Sequence, residues 1–262
     1  MKATIYAFAI SLFIVGCSAQ EEPVPQMPVG AQPSSNELIF KASDGHLVYA
    51  DLIPSKPKGS KAVILMFHQA GSNASEYETI APKIAALGFD CIAVDQRSGG
   101  DMWGRVNRTM NKSGTGTYLE AYNDLVGAVA YAGSKQYSTI LVWGSSYSSS
   151  LVFKLASEYP SVKGVLSFSP GEYMPDKQIV STWAAKVQVP VFFACTQDEW
   201  HDGRSELFDS IHFKDKVSWA IPGGVHGSST LIAAKSTAAG LYLDKVKSFL
   251  QRWEKPSTQT IK

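Results

Sequence analysis

The order of elements along this chain predicts an α/β architecture: a mainly parallel sheet covered by helices on both faces. Three observations carry that prediction. Short apolar runs rich in β-branched residues alternate with stretches of helical spacing over most of the length. Some of these runs, Ala62–Phe67 (AVILMF) foremost, are apolar at every position, the pattern of a strand buried on both faces. At Thr139–Ala156 a strand breaks abruptly into a helix, which requires a tight turn between the layers.

Taken in order, Leu38-Ile39-Phe40 and Leu47-Val48-Tyr49 flank Ser43-Asp44-Gly45 and predict a β-hairpin. Ala62–Phe67 is the next strand, followed by His68-Gln69-Ala70-Gly71-Ser72-Asn73 and a helix near Ser75–Leu87 that Gly88 closes. Phe89–Val94 is a strand, and a long polar loop then runs to about Thr117. A helix is expected from Tyr118 to about Ala132, with Leu119, Tyr122, Leu125, Val126 and Val129 on one stripe. After Thr139–Ala156 come a strand at Val162–Phe168, a short helix near Ile179–Lys186 and a strand at Pro190–Ala194. A helix near Arg204–His212, a last strand at Lys216–Ala220 and helices across Thr230–Trp253 complete the chain.

With 262 residues, 45% of them hydrophobic, the chain has material for one sizeable globular domain. A formal net charge of +1 gives no bulk field for nucleic acid, and no nucleic-acid partner is expected. The amino terminus reads as an export signal, with Lys2 ahead of the apolar run Ala3–Val15. That run ends Ile14-Val15-Gly16-Cys17, which resembles the lipobox of bacterial lipoproteins. The resemblance implies cleavage before Cys17, lipid attachment there, and a membrane-anchored place in the cell envelope, on the periplasmic side. Ordinary signal cleavage after Ala19 is the alternative. The expected division is 1–17 signal, 18–36 proline-rich tether, 37–255 globular domain and 256–262 polar tail.

The chemistry-bearing residues stand at strand ends. Gly144-Ser145-Ser146-Tyr147-Ser148 sits at the strand-to-helix break, and only Ser146 has Gly144 two residues before it and a small residue, Ser148, two residues after. That is the setting of a nucleophile elbow, in which a sharp turn lifts the serine oxygen clear of the sheet. A serine there keeps a Cβ at position 148, where the usual pattern has glycine, so a looser approach of helix to strand is expected. Asp198 follows the strand at Pro190–Ala194, and His226 lies in the glycine-flanked segment Pro222–Gly227 after the last strand. Serine first, acid second and histidine last is the chain order of the α/β-hydrolases.

Over roughly Leu38–Trp253 the chain resembles the α/β-hydrolase superfamily, and the F-H-Q-A-G-S stretch with its short loops resembles the dienelactone-hydrolase-like branch. The resemblance implies an α/β-hydrolase fold with no large cap domain, and a serine hydrolase working through Ser146, His226 and Asp198. It places the oxyanion donors at the N–H groups of Tyr147 and Ala70. Gln69 stands where the family's turn has glycine, and Glu172 is a second candidate for the acid. Dienelactone hydrolases use cysteine as nucleophile, so serine here points to an esterase acting on small or medium acyl esters. No cofactor and no metal is called for, although Asp198-Glu199-Trp200-His201-Asp202 crowds possible ligands into one loop. His68, His201 and His212 read as structural or surface residues, and Trp103, Tyr147, Tyr173, Trp183 and Trp200 as candidate rim residues. A non-catalytic binding protein of the same fold, a peptidase and a thioesterase remain open. Cys91 and Cys195 fall on strands expected to lie far apart, which predicts two free, buried thiols.

Overall fold

A computed structural model describes residues 36–254. The expectations for 1–17, for Cys17, for nearly all of the tether and for the polar tail lie outside the described residues. The strands are β1 (Glu37–Lys41), β2 (Leu47–Ile53), β3 (Ala62–Phe67), β4 (Asp90–Asp95), β5 (Thr139–Ser145), β6 (Val162–Phe168), β7 (Val191–Thr196) and β8 (Lys216–Ile221). They form one eight-stranded sheet in the order β1-β2-β4-β3-β5-β6-β7-β8. β2 runs antiparallel to both β1 and β4, and every other pairing is parallel. The helices are α1 (Ala81–Ala85), α2 (Arg108–Ser113), α3 (Tyr118–Ser134), α4 (Tyr147–Glu158), α5 (Ile179–Ala184), α6 (Gln197–Glu199), α7 (Ser205–Asp209) and α8 (Ala239–Leu250).

The period of two along each strand sorts the core into two layers. Val63, Leu65, Phe67, Ile140 and Val142 pack on one face with residues of α3, α4, α5 and α7. Ile64, Met66, Leu141 and Trp143 pack on the other with α1 and α8. Strands buried on both sides require apolar side chains at every position, which is why β3 reads AVILMF. Cys91 and Cys195 are free and buried, on β4 and β7, which three strands separate.

Three local expectations change. The helix expected at Ser75–Leu87 is a single turn at Ala74–Tyr77 and then α1, because Pro82 has no N–H to continue a helix and instead sits in the first turn of a new one. The long polar loop contains α2. Its start is capped by the Asn107 side chain, which accepts the Met110 N–H, and Arg108 is anchored by Glu37, Asp51 and Asp95. Polar anchors leave no apolar periodicity for a sequence reading to detect. The stripe of α3 is rotated: Leu119 is exposed, and Ala121, Leu125, Ala128, Val129 and Ala132 face the sheet. Asp124 is buried among them and satisfied by Arg97, which also holds Asp44.

Candidate active site

The elbow is one residue long. β5 ends at Ser145 and α4 begins at Tyr147, leaving Ser146 between them at φ 56°, ψ −124°. A side-chain-bearing residue in such a conformation stores roughly 1–3 kcal/mol, which surrounding contacts must hold. The Ser146 N–H donates to Phe168 O at 2.8 Å and fixes the turn from the neighbouring strand. Gly144 is required: a Cβ there would lie 2.4 Å from the Ser148 carbonyl oxygen and 2.5 Å from Ser149 Cα, both backbone atoms. The serine at 148 is a fastening point rather than a defect. Its hydroxyl donates to His68 O at 2.6 Å and accepts from Gln96 Nε2 at 2.8 Å, tying the first turn of α4 to the exits of β3 and β4.

Ser146 and His226 meet as the spacing predicts. The Ser146 hydroxyl donates to His226 Nε2 at 2.8 Å. The acid is a correction. His226 Nδ1–H donates to Glu199 Oε1 at 2.5 Å, whereas Asp198, one residue earlier, is exposed and turned to solvent. The reason is a capping box at the end of β7. Thr196 caps α6, its hydroxyl accepts the Glu199 N–H, and the Glu199 carboxylate folds back to take the Thr196 N–H at 2.9 Å. That backward fold points Glu199 at the histidine and leaves Asp198 on the outer side. Glu172, the other candidate, spends its carboxylate on the N–H groups of Val180 and Ser181 at the start of α5.

Ser169 completes the arrangement. Its hydroxyl donates to Glu199 Oε2 at 2.7 Å and accepts the Gly227 N–H at 2.8 Å, so one side chain steadies both the acid and the histidine's loop. Burial alone would raise the Glu199 carboxyl. The His226 hydrogen bond, the Thr196 N–H and the Ser169 hydroxyl outweigh it and bring the group down to about 2. Glu199 is therefore an anion across the neutral range, facing Nδ1 and favouring the tautomer that leaves Nε2 free to accept from Ser146.

The N–H groups expected to receive an oxyanion are open. Tyr147 is the first residue of α4, so its N–H has no intrahelical acceptor. The Ala70 N–H donates to no group among the described residues. Gln69 is absorbed into the scaffold: its N–H donates to Glu76 Oε2 at 2.8 Å and its amide to Ser229 Oγ at 3.3 Å. His68 is buried and structural, with Nδ1–H on Gln69 O and Nε2 accepting the Gln96 N–H. Burial holds its pKa below the usual histidine value. His201 and His212 are exposed, and no metal-binding cluster occurs among the described residues.

A cavity of about 380 Å³ is lined by Tyr118, Leu119, Tyr173, Met174 and Pro175, with Thr117 and Lys177 also on its wall; Ser146 and His226 do not line it. The Tyr118 ring stacks on Tyr147 at 4.2 Å between centroids. The Tyr173 hydroxyl donates to Ser169 O at 2.9 Å. Burial pushes that phenol up, against hydrogen bonding from Arg204 and Ser146. Of the other rim candidates, Trp183 is buried in the core, Trp200 packs on Phe193 and Phe208, and Trp103 donates to Ser72.

A mainly parallel sheet with a serine at a one-residue strand-to-helix turn, met by a histidine from the loop after the last strand, defines the α/β-hydrolase fold. A family model described as serine aminopeptidase, S33, matches residues 58–195, more than half of the chain, and the protein belongs to that family of α/β-hydrolases. The matched span holds the elbow and the Gln69-Ala70 turn, while Glu199 and His226 lie beyond it. Several solved structures share the fold. The Pyrococcus furiosus esterase Pf2001 is 16% identical with a TM-score of 0.65, the match covering 84% of this chain and 90% of that one. A dienelactone hydrolase from Anabaena variabilis is 14% identical with a TM-score of 0.63, covering 84% and 98%. A soluble variant of the Saccharomyces cerevisiae monoglyceride lipase is 13% identical with a TM-score of 0.63, covering 88% and 99%. Among curated protein sequences none matches.

Proposed function

We propose that this protein is a serine hydrolase that cleaves carboxylic esters of small or medium acyl groups through an acyl-enzyme. One observation carries the reading: His226 is hydrogen-bonded at once to the Ser146 hydroxyl, at 2.8 Å, and to the Glu199 carboxylate, at 2.5 Å. A serine hydroxyl is a weak nucleophile at neutral pH and needs a base within reach. As Ser146 Oγ bonds to the ester carbonyl carbon, its proton passes to His226 Nε2, and Glu199 stabilises the imidazolium that forms. The carbonyl oxygen becomes an oxyanion facing the N–H groups of Tyr147 and Ala70. Removing one such donor typically costs about 3 kcal/mol of barrier. The carbonyl then re-forms as the ester C–O bond breaks, and His226 returns its proton to the departing alkoxide. Water repeats the sequence on the acyl-Ser146 ester, with His226 as base, and releases the acid.

The apolar cavity beside Tyr147 supports a modest acyl group over a long lipid chain, since about 380 Å³ is near the small end of ligand sites. Membership of a family described as serine aminopeptidases supports a second reading, hydrolysis of a peptide amide at the same site. The lipobox-like Ile14–Cys17 supports an exported protein held at a membrane through lipid on Cys17. The deciding experiment is labelling with a fluorophosphonate probe. Labelling of the wild type that disappears in Ser146→Ala is expected, and an unlabelled wild type would return the fold to a binding role. A panel of p-nitrophenyl esters of increasing chain length, with the matching amides, then separates esterase from peptidase.

A further inference from the structure

Glu76 is a fully buried carboxyl that the acyl-transfer scheme leaves without a task. It sits in the single turn Ala74–Tyr77, behind the site. Every group that reaches it is a donor. Oε2 accepts the Gln69 N–H at 2.8 Å and the Ser72 hydroxyl at 3.5 Å. Oε1 accepts the Ser145 hydroxyl at 2.6 Å and the Gln69 amide at 3.5 Å. Neither lysine nor arginine pairs with it among the described residues, and the basic group that acts on it from a distance is His226. Four donor groups satisfy the carboxyl oxygens, while complete burial works against the ionised form.

The destinations of these bonds set Glu76 apart from an ordinary buried acid. Gln69 directly precedes Ala70, whose N–H faces the oxyanion. Ser145 directly precedes the nucleophile. The Ser145 hydroxyl also accepts the Ser228 N–H at 2.9 Å, two residues beyond His226. The same relay recurs on the other side of the loop, where Glu199 takes the Ser169 hydroxyl and that hydroxyl takes the Gly227 N–H. Two successive N–H groups after the histidine are thus each held by a serine that is itself held by a glutamate. Gly227 leaves room for the Glu76–Ser145 relay, since a Cβ there would lie 2.5 Å from Ser145 Oγ.

We propose that Glu76 is a positioning residue for the hydrolytic reaction, holding the oxyanion turn, the residue before the nucleophile and the histidine loop in one register through the Gln69 N–H and the Ser145 hydroxyl. The proposal rests on the acyl-transfer reading given above. Catalytic groups displaced by about 1 Å can lose 100-fold in rate, so a clamp joining three of them acts on kcat. Glu76→Gln is the sharpest variant, because the amide keeps the shape but turns a donor toward donors.

The test uses the full-length protein, with active sites counted by fluorophosphonate titration and folding followed by thermal melts. Hydrolysis of p-nitrophenyl acetate is measured for wild type, Glu76→Gln, Ser145→Ala and the double variant. Each single variant is expected to lose at least about tenfold in kcat per titrated site with KM within about twofold. The double variant is expected to be little worse than the weaker single one, because both break the same clamp. A kcat per site within about twofold of wild type in folded Glu76→Gln overturns the proposal, as do losses that multiply as for independent sites. Where Glu76→Gln does not fold, Ser145→Ala decides alone: a kcat loss supports the clamp and a wild-type kcat overturns it. A wild type that neither labels nor hydrolyses overturns the acyl-transfer reading and the clamp with it. An active wild type with unaffected variants overturns the clamp only.

Discussion

Two glutamates, Glu76 fully buried and Glu199 partly so, flank the His226 loop, each reaching it through a serine, and their surroundings drive them in opposite directions. Glu199 is brought down to about 2, because the His226 hydrogen bond, a backbone N–H and the Ser169 hydroxyl outweigh its burial. Glu76 is pushed up to about 7: complete burial wins over Ser145, the Gln69 N–H, the distant charge of His226 and Ser72. The difference teaches that hydrogen-bond donors alone do not keep a carboxylate ionised in the interior. A direct contact with a chargeable partner and some access to solvent do. That division suits the roles proposed above, in which the group beside the imidazole stays anionic and the group behind it only holds the backbone.

Exchanging the acid gives the largest effect. Glu199→Gln is expected to lower kcat by roughly 10³- to 10⁴-fold, since the amide cannot stabilise the imidazolium or hold the productive tautomer. Asp198→Asn is expected to stay within about twofold of wild type. Equal losses at 198 and 199, measured as kcat per labelled site, would reverse the acid assignment.

The second prediction concerns stability against pH. A carboxyl raised in the folded state binds its proton more tightly there than when unfolded. Glu76 therefore costs stability progressively as pH rises from about 4.5 to about 7, and no further above that. The loss is bounded at about 3 kcal/mol. Glu199 acts with the opposite sign: its contribution is complete above about 4.5 and is lost only as pH falls toward about 2. Urea unfolding at pH 5 and pH 8 should show wild type losing more stability across that interval than Glu76→Gln. Parallel changes in the two proteins would show that Glu76 is not the titrating group.

Smaller effects sharpen the comparison further. Ser169→Ala removes a donor from Glu199 and an acceptor from the Gly227 N–H, and about 1–3 kcal/mol of stability should go with it. The Glu199 carboxyl should move up from its low value, readable by NMR titration. Ser148→Ala should cost about 1–3 kcal/mol in urea unfolding, with activity near wild type, because it loses the bonds to His68 O and from Gln96 Nε2 but keeps the turn. A collapse of activity in Ser148→Ala would mean that the fastening of α4 sets the nucleophile itself.

The legible parts of this molecule are those where one segment carries its own signal. β3 reads directly from AVILMF, and the elbow reads from a strand, a glycine and a serine in sequence. The carboxylate that faces His226 stands one residue after the one the spacing predicts, although its marker is present: Thr196-Gln197-Asp198-Glu199 has the spacing of a capping box, in which the fourth side chain turns back toward the first. Ser145, Ser169 and Glu76 carried no comparable mark. Each is an ordinary polar residue until strands β5 and β6 and the turn after β3 bring it beside the histidine loop.

The sequence by itself determined the alternation of strand and helix, the two-layered core, the serine at the strand-to-helix turn and the histidine that meets it. These follow from hydrophobic period and from backbone rules that act over a few residues. Only the tertiary structure decided which carboxylate faces the imidazole, which N–H groups are left open, and that two glutamates hold one loop from opposite sides. Those outcomes depend on where side chains point after distant segments pack, because a hydrogen bond is directional on the scale of an ångström and residue spacing along a chain is not.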